Sequence, residues 1–309
     1  MTGWPSVCAV VPTRGDRPGQ LGAAVAAILG QDYPGPLGVI VVFDQAAPDP
    51  AVAVSGRVKV LASDRAPGLA GARNCGILAA RSELVAFCDD DDAWLPGKLR
   101  AQAGALLASP GAEFASCAIT VDCGGRRTDR LAGRTRVTHA DLLRSRMVMV
   151  HSSTFLARRT ALAGGIGLAG GIGLADEELP GGQNEDWDLA LRAAARRPIV
   201  HVDRPLVLVS WGGGSHYARR WQARADGLLR MLGKHPGIAA DRAGAARVYG
   251  QLAFCYACLG LRAESARWAC RALRANWRER RVPLALAVAA GAVSGERVLG
   301  ILNARGHGI

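Results

Sequence analysis

Lysine is scarce in this chain: Lys59, Lys98 and Lys234 are the three in 309 residues, and arginine carries nearly all the positive charge. Arginine and alanine run richly through the whole sequence, as a coding bias would produce. The formal net charge of +12 therefore does not specify a nucleic-acid surface, and no nucleic-acid partner is expected. The paired cysteine spacing of a small disulfide scaffold is also missing. The eight cysteines (8, 75, 88, 117, 123, 255, 258 and 270) sit mostly inside apolar segments and read as reduced, buried thiols. Cys255 and Cys258 make one CxxC, with no second such pair and no closely spaced histidine pair to complete a zinc site. The first residues lack a charged region followed by a long apolar one, so the expected location is the cytoplasm. The most apolar late stretch, residues 282–293, is too short to span a bilayer, and Glu296 and Arg297 follow it.

What is present is an apolar half, enough to bury one large domain or one with a small appendage. Leu84 to Trp94 reads Leu-Val-Ala-Phe-Cys-Asp-Asp-Asp-Asp-Ala-Trp, an apolar segment ending in four carboxylates. Such a segment is a buried strand delivering acids to an edge. Adjacent carboxylates repel and lose hydration there, so a cation belongs beside them in the working state. Hard divalent ions, Mg2+ or Mn2+, take oxygen ligands, and in phosphate-handling sites one or two carboxylates hold them while substrate phosphates complete the coordination. Alternate side chains of an extended chain share a face, which pairs Asp89 with Asp91. The competing reading is a solvated acidic turn, or a cap for the helix expected over 95–107, a role that suits Asp92.

Earlier in the chain, Val7 to Val11 is a strand closed by Pro12. A polar turn, Thr13-Arg14-Gly15-Asp16-Arg17-Pro18, leads into Leu21, Val25, Ile28 and Leu29 at helical spacing. Strands follow over 37–43, ending at Asp44, and over 58–62, with a helix over 70–80. Strands alternating with helices predict a mostly parallel, doubly wound α/β sheet. Ligands then bind outside the carboxyl ends of the strands, where the loops bearing Thr13 to Arg17, Asp44 and Asp89 to Asp92 all lie. Arg73 and Asn74 follow a small-residue loop at a helix start, where free N–H groups and a cation suit a diphosphate.

Five segments in this order, Ala-Val-Val-Pro-Thr-Arg (9–14), Val-Val-Phe-Asp (41–44), Gly-Leu-Ala-Gly-Ala-Arg-Asn-Cys-Gly (68–76), Phe87 to Trp94 with Leu95-Pro96 and Lys98-Leu99, and Asn-Glu-Asp-Trp-Asp-Leu (184–189), resemble the family 2 glycosyltransferases and their GT-A nucleotide-sugar-binding fold. The resemblance runs over roughly residues 6–215. It implies a DxD metal motif at Asp89 and Asp91, and a catalytic base in the Glu185-Asp186 pair, with Asp186 favoured. It also implies donor contacts from Pro12, Thr13 and Arg14 of the first loop, from Asp44, Gly71 and Arg73, and from Asp90. One departure is Phe43, which stands where the family has the first of two acids.

Asp122 to Arg136, rich in Gly and Arg, suits a mobile loop over the site. Leu-Ala-Gly-Gly-Ile-Gly at 162–167 recurs at 168–173 and lengthens a loop, after which Asp176, Glu177 and Glu178 read as solvated. A helix opens at Asn184, its acids favouring the macrodipole. A strand over 200–209 leads to Trp-Gly-Gly-Gly-Ser-His, where backbone could approach phosphates and His216 is a further metal candidate, shifted from the family's position. From Ala218 the pattern is helical, with a tetratricopeptide-like hairpin turning at Gly260 that must pack on the catalytic domain, a dimer mate or a partner. Residues 218–281 hold 14 Arg and Lys against 4 Asp and Glu, a surface for peripheral membrane contact. The expected organisation is a GT-A domain over 1–217 and a helical extension over 218–309. The expected function is metal-dependent inverting transfer of a sugar from a nucleotide-sugar, a UDP-sugar, to an acceptor hydroxyl or amine. The rivals are a sugar nucleotidyltransferase, whose glycine-rich first loop Pro12-Thr13-Arg14-Gly15 barely echoes, and a lapsed transferase domain serving as a binding module.

Overall fold

The computed structural model describes residues 3–164, 171–211 and 220–304. Strand periodicity organises it. In β1 (Val7–Thr13), Cys8 and Val10 enter one core while Val7, Ala9 and Val11 enter another. After α1 (Pro18–Leu29), β2 (Leu37–Phe43) repeats the division, Ile40 and Val42 against Val39, Val41 and Phe43. β3 (Val58–Ala62), α2 (Leu69–Ala79) and β4 (Leu84–Phe87) follow, with Val85 and Phe87 opposed to Leu84 and Ala86. Strands apolar on both faces need cover on both. On the first face α2 supplies Ala72, Cys75 and Ile77; on the second α1 supplies Leu21, Ala24, Val25 and Ile28.

The chain continues through β5 (Ala93–Trp94), α3 (Lys98–Leu107), β6 (Phe114–Cys123), β7 (Arg126–Arg130), β8 (Arg136–Val137), α4 (His139–Arg144), β9 (Leu156–Arg158), α5 (Arg159–Ala163), α6 (Glu185–Arg196) and β10 (Ile199–Ser210). The strand order is β3-β2-β1-β4-β9-β6-β10-β5, with β7 on β6 and β8 on β10. β1 to β4 run parallel, as do β6 and β10, while β5, β7, β8 and β9 pair antiparallel. This is the mostly parallel doubly wound sheet read from the sequence. Pro12 sits inside it at no cost to the ladder. Val10 accepts from Cys88 on the β4 side, Pro12 faces the same way, and β4 has already ended there.

Three local expectations change. The helix expected from Leu95 begins at Lys98, because Pro96 disfavours helical backbone before it and Ala93–Trp94 pairs with Val207 and Leu208. Much of 122–136 is a hairpin, with Gly124 and Gly125 at φ +61° and +88° turning β6 into β7. Cys270 is exposed, whereas Cys8, Cys75, Cys88, Cys117 and Cys255 are buried.

The remaining elements are α7 (Trp221–Lys234), α8 (Gly237–Ala240), α9 (Arg242–Cys258), α10 (Arg262–Ala275), α11 (Arg281–Ala289) and α12 (Gly295–Ala304). α9 and α10 form a hairpin through Gly260, whose φ of +75° suits glycine. α9 has two buried faces. Val248, Leu252 and Cys255 join the core that contains Trp187, Leu142 and Leu189, while Ala253, Phe254 and Ala257 meet Ala269, Ala272, Val282 and Val298. Among the described residues, no helix is long and apolar enough to cross a membrane.

Candidate active site

The carboxyl edge of the sheet gathers the four acids of the run that follows β4. Phe87 is the last residue of β4, so Asp89 to Asp92 follow the strand's end, with Asp90 and Asp92 still buried. Asp89 is bound by Arg73 and accepts from Ser152 Oγ at 3.0 Å. Asp90 accepts from Thr13 Oγ1 at 2.6 Å and pairs with Arg17 Nη2 at 2.8 Å. Asp91 pairs with the same guanidinium. Asp92 turns inward to Ser153 Oγ at 2.6 Å and Ser210 N at 3.3 Å, with His151 Nδ1 3.6 Å away. Thus the side chains of Asp89 and Asp91 go to different arginines, while Asp89, Asp92 and His151 each place one potential ligand atom within 4.8 Å of the others.

The helix-start pair faces this cluster. Asn184, at φ +66°, turns the chain sharply into α6. Glu185 and Asp186 then occupy its first turn, where the helix dipole favours negative charge. Arg73, 3% exposed, bridges Asp89 and Glu185, so the strand end and the helix start share one buried cation. Arg146 holds Asp186 through both carboxylate oxygens, at 2.9 and 2.8 Å. The non-glycine residues with positive φ among those described are Gln45, Met147 and Asn184, next to Asp44, Arg146 and Glu185 respectively. Strained backbone of this kind persists where a site constrains it.

The electrostatics separate the acids by role. At Asp89 burial opposes ionisation, but Arg73 and His151 outweigh it and hold the pKa below its usual value. Asp186 behaves likewise, with Arg146 the main counterweight to burial. Burial instead pushes Glu185 up to about 7 against the pull of Arg73, and its Oε2 has no hydrogen-bond partner. Asp90 is pushed up to about 6 by burial, against Thr13 and Arg17. Asp92 lies well above the usual carboxylate range through burial beside Asp89. Burial also pulls His151 below its usual value.

Of the residues singled out from the sequence, Thr13, Asp90 and Asp91 gather about Arg17, Asp89 and Glu185 about Arg73, and Asp186 on Arg146. Asp44 accepts from Gly68 N at 3.1 Å, which ties the end of β2 to the start of α2. Pro12 is buried in β1, and Arg14 is exposed on the first loop. Gly71 is set by packing, because a Cβ there would stand 1.9 Å from the Ala66 carbonyl oxygen. Phe43 packs instead against the first loop, its ring 3.0 Å from where Gly15 would carry a Cβ. His216 lies outside the described residues. Asp176 and Glu178 are paired rather than free, with Lys234 at 2.6 Å and Arg230 at 3.1 Å. Glu177 is gripped by Arg65 and by Asn74 Nδ2 at 2.7 Å. Missed altogether were Arg146 and the His151-Ser152-Ser153 turn. The one signal for the turn was a run of four polar residues, 151–154, between the apolar stretches 147–150 and 155–157.

A family model described as Glycosyl transferase family 2 matches residues 8–164. The UDP-Glc:alpha-D-GlcNAc-diphosphoundecaprenol beta-1,3-glucosyltransferase WfgD of Escherichia coli is 41% identical over 51 residues, 16% of this chain, and the match spans only 20% of that relative. S. aureus TarS 1-349 in complex with UDP-GlcNAc superposes with a TM-score of 0.58 at 16% identity, over 98% of this chain and 92% of that one. The mannosyltransferase PcManGT from Pyrobaculum calidifontis, in complex with GDP-Man and Mn2+, superposes with a TM-score of 0.54 at 19% identity, over 96% and 83%. At these identities the superpositions establish a shared fold. The family match covers more than half of the sequence, from β1 to the end of α5, and the chain therefore belongs to glycosyl transferase family 2.

Proposed function

We propose that this protein is an inverting glycosyltransferase that moves a sugar from a nucleotide-sugar, a UDP-sugar, to an acceptor hydroxyl or amine with the help of a divalent ion. The observation that most supports it is Arg73, a buried guanidinium joining the acidic strand end to the helix-start acids. It brings a diphosphate-binding cation and a candidate base into one cleft at the edge where such sheets bind ligands. UDP-Glc in the name of WfgD and UDP-GlcNAc bound to TarS favour a uridine donor.

The donor set suits a divalent ion. Burial beside Asp89 pushes the Asp92 carboxyl well above its usual range, a repulsion that a cation would relieve. Two carboxylates and an imidazole, Asp89, Asp92 and His151, fit Mn2+, with Asp91 as the further candidate from the sequence. Bound there, the ion would neutralise these acids and the diphosphate. Arg17 and Arg73 add positive charge on the same side, where negative charge develops on the leaving group.

Asp186 is the proposed general base. The acceptor oxygen or nitrogen bonds to the anomeric carbon as the bond from that carbon to the diphosphate oxygen breaks. The acceptor proton passes to Asp186, and the electron pair leaves with the nucleoside diphosphate. A base must be ionised at working pH: Arg146 and His151 hold Asp186 below its usual pKa, whereas burial pushes Glu185 up to about 7. A second reading takes Glu185 as the base, on the strength of its unpartnered Oε2.

A donor-hydrolysis screen across nucleotide-sugars with Mn2+, reading released nucleoside diphosphate, tests the activity. Asp186→Asn should lower turnover about 10²- to 10⁴-fold with donor affinity nearly unchanged. A collapse in Glu185→Gln alone would transfer the role, and product of retained anomeric configuration by NMR would overturn the mechanism.

A further inference from the structure

Behind the helix-start pair the structure collects more positive charge than its acids neutralise. Arg146, which clamps Asp186, lies within electrostatic range of two arginines from the helical region, Arg224 on α7 and Arg247 on α9. The groups acting on Arg224 are Arg146 and the thiols of Cys255 and Cys258. Arg247 lies over the Trp187 ring at 5.1 Å, and its Nε and Nη2 are buried without a hydrogen-bond partner. Its charged neighbours besides Arg146 are Arg281 and Glu279, and Glu279 is already held by Arg281 at 2.8 Å. Burial, with Arg281 and Arg146 nearby, pulls the Arg247 guanidinium down to about 9.

Arg224 and Arg247 thus add two guanidiniums near the one that clamps Asp186, and Glu279, the acid near Arg247, is already taken by Arg281. Buried cations without counter-ions are costly, and the cost disappears when an anion of matching geometry arrives. Guanidinium forks match phosphoryl oxygens in a bidentate way, and a phosphate brings more charge than a single carboxylate. The donor diphosphate is assigned in this reading to Arg17 and Arg73, which pair with the strand-end acids and Glu185, not with Asp186.

We propose that Arg146, Arg224 and Arg247 form an acceptor subsite for a phosphoryl group, so that the acceptor is a phosphorylated glycoside whose hydroxyl is presented to Asp186. This rests on Asp186 marking the acceptor side of the transfer. The subsite also explains why α7 and α9 lie against the catalytic helix: they complete the acceptor side. A lipid-linked diphosphate and a soluble sugar phosphate share the required chemistry.

The test uses the full chain with the donor pocket filled by nucleoside diphosphate and metal. Inorganic phosphate is titrated against tryptophan fluorescence, since Arg247 lies over Trp187 and Arg224 over Trp221 at 5.4 Å. A saturable change is expected, weakened at least tenfold in Arg247→Ala and Arg224→Ala and partly kept in Arg247→Lys. Thermal unfolding and nucleoside diphosphate affinity of each variant separate a lost subsite from a damaged fold. Turnover is then compared for alkyl glycosides, sugar 1-phosphates and short-chain polyprenyl diphosphate sugars. The phosphorylated acceptors should exceed the neutral ones at least tenfold in kcat/KM, and the better of the two identifies the source. Unchanged phosphate affinity in both alanine variants, or neutral glycosides serving equally well, overturns the subsite and leaves Arg247 as a brace for Trp187. Phosphate binding retained in a protein that turns over no nucleotide-sugar overturns the transferase reading instead.

Discussion

The acids at the edge of the sheet differ in chemistry because their neighbours differ, although four of them are consecutive. Asp91 meets Arg17 at the surface side, while Asp92, 4% exposed, meets Ser153 and His151 inside. Two metal ligand sets therefore compete, Asp89 with Asp91 or Asp89 with Asp92 and His151. Calorimetry of Mn2+-dependent nucleoside diphosphate binding should show a loss of at least tenfold in Asp89→Asn. If the structural set is right, His151→Ala should match that loss and Asp91→Ala should not; the reverse result restores the DxD pairing. Lys98 offers a second residue-level test. It is fully buried, its Nζ has no hydrogen-bond partner and lies 4.0 Å from the Trp94 ring centroid, and burial pulls its pKa down to about 8. A depressed lysine favours the folded state above its unfolded pKa, and that contribution is lost as pH falls toward 8. Lys98→Met should therefore be more stable than the parent at pH 7, by on the order of 1 to 4 kcal/mol. The advantage should shrink between pH 8 and about 10.4. Chemical denaturation across that range checks it, and an advantage independent of pH would contradict the assignment.

Between elements, α6 is fixed by contacts made far along the chain. Asp188, one turn into α6 and fully buried, binds Arg192 at 2.9 Å, Lys234 at 2.8 Å and His235 at 2.8 Å, so α7 is riveted to α6 by charge. Gly227 of α7 allows the approach, since a Cβ there would sit 2.6 Å from that of Gln183, next to the turn carrying Glu185. Burial opposes ionisation of Asp188, but His235, Arg192 and Lys234 together hold its pKa far below the usual value. A depressed carboxylate stabilises the fold above its unfolded pKa of about 3.9, and the contribution is lost as pH falls below that. Asp188→Asn should cost about 3 kcal/mol at pH 7 and flatten the acid limb of the stability profile below about pH 4. An unchanged acid limb in urea titrations would rule this out.

At the scale of the molecule, α9 belongs to two cores at once. Its Val248, Leu252 and Cys255 lie with Trp187 and Leu142, and its other face holds α10 and α11. Ending the chain at residue 240 would strip the apolar cover from Trp187 and Leu142. The fragment should be largely insoluble or lose cooperative thermal unfolding, and its nucleoside diphosphate affinity should fall with it. A soluble fragment that melts as cooperatively as the whole chain and binds nucleotide normally would show that the helices are an independent appendage.

The sequence by itself determined the parts that depend on local periodicity. Val7–Thr13 and Leu37–Phe43 are apolar runs bounded by turn residues, and such runs have few alternatives to a buried parallel strand. The acids at 89–92 and 185–186, and Arg73, were legible because each stands at the junction of a periodic segment and a loop. Tertiary structure decided which acid meets which cation. Arg146 reaches Asp186 across 40 residues and Arg73 reaches Glu185 across 112, and no spacing rule encodes such separations. His151 gave no periodic signal because it caps a single short turn, Ser152–Thr154, where local pattern is too brief to read. The arginines of the helical region looked in sequence like one evenly basic surface. Only packing separates Arg247, with buried and unpartnered nitrogens beside Trp187, from those left in water, because burial and not count makes a cation seek an anion.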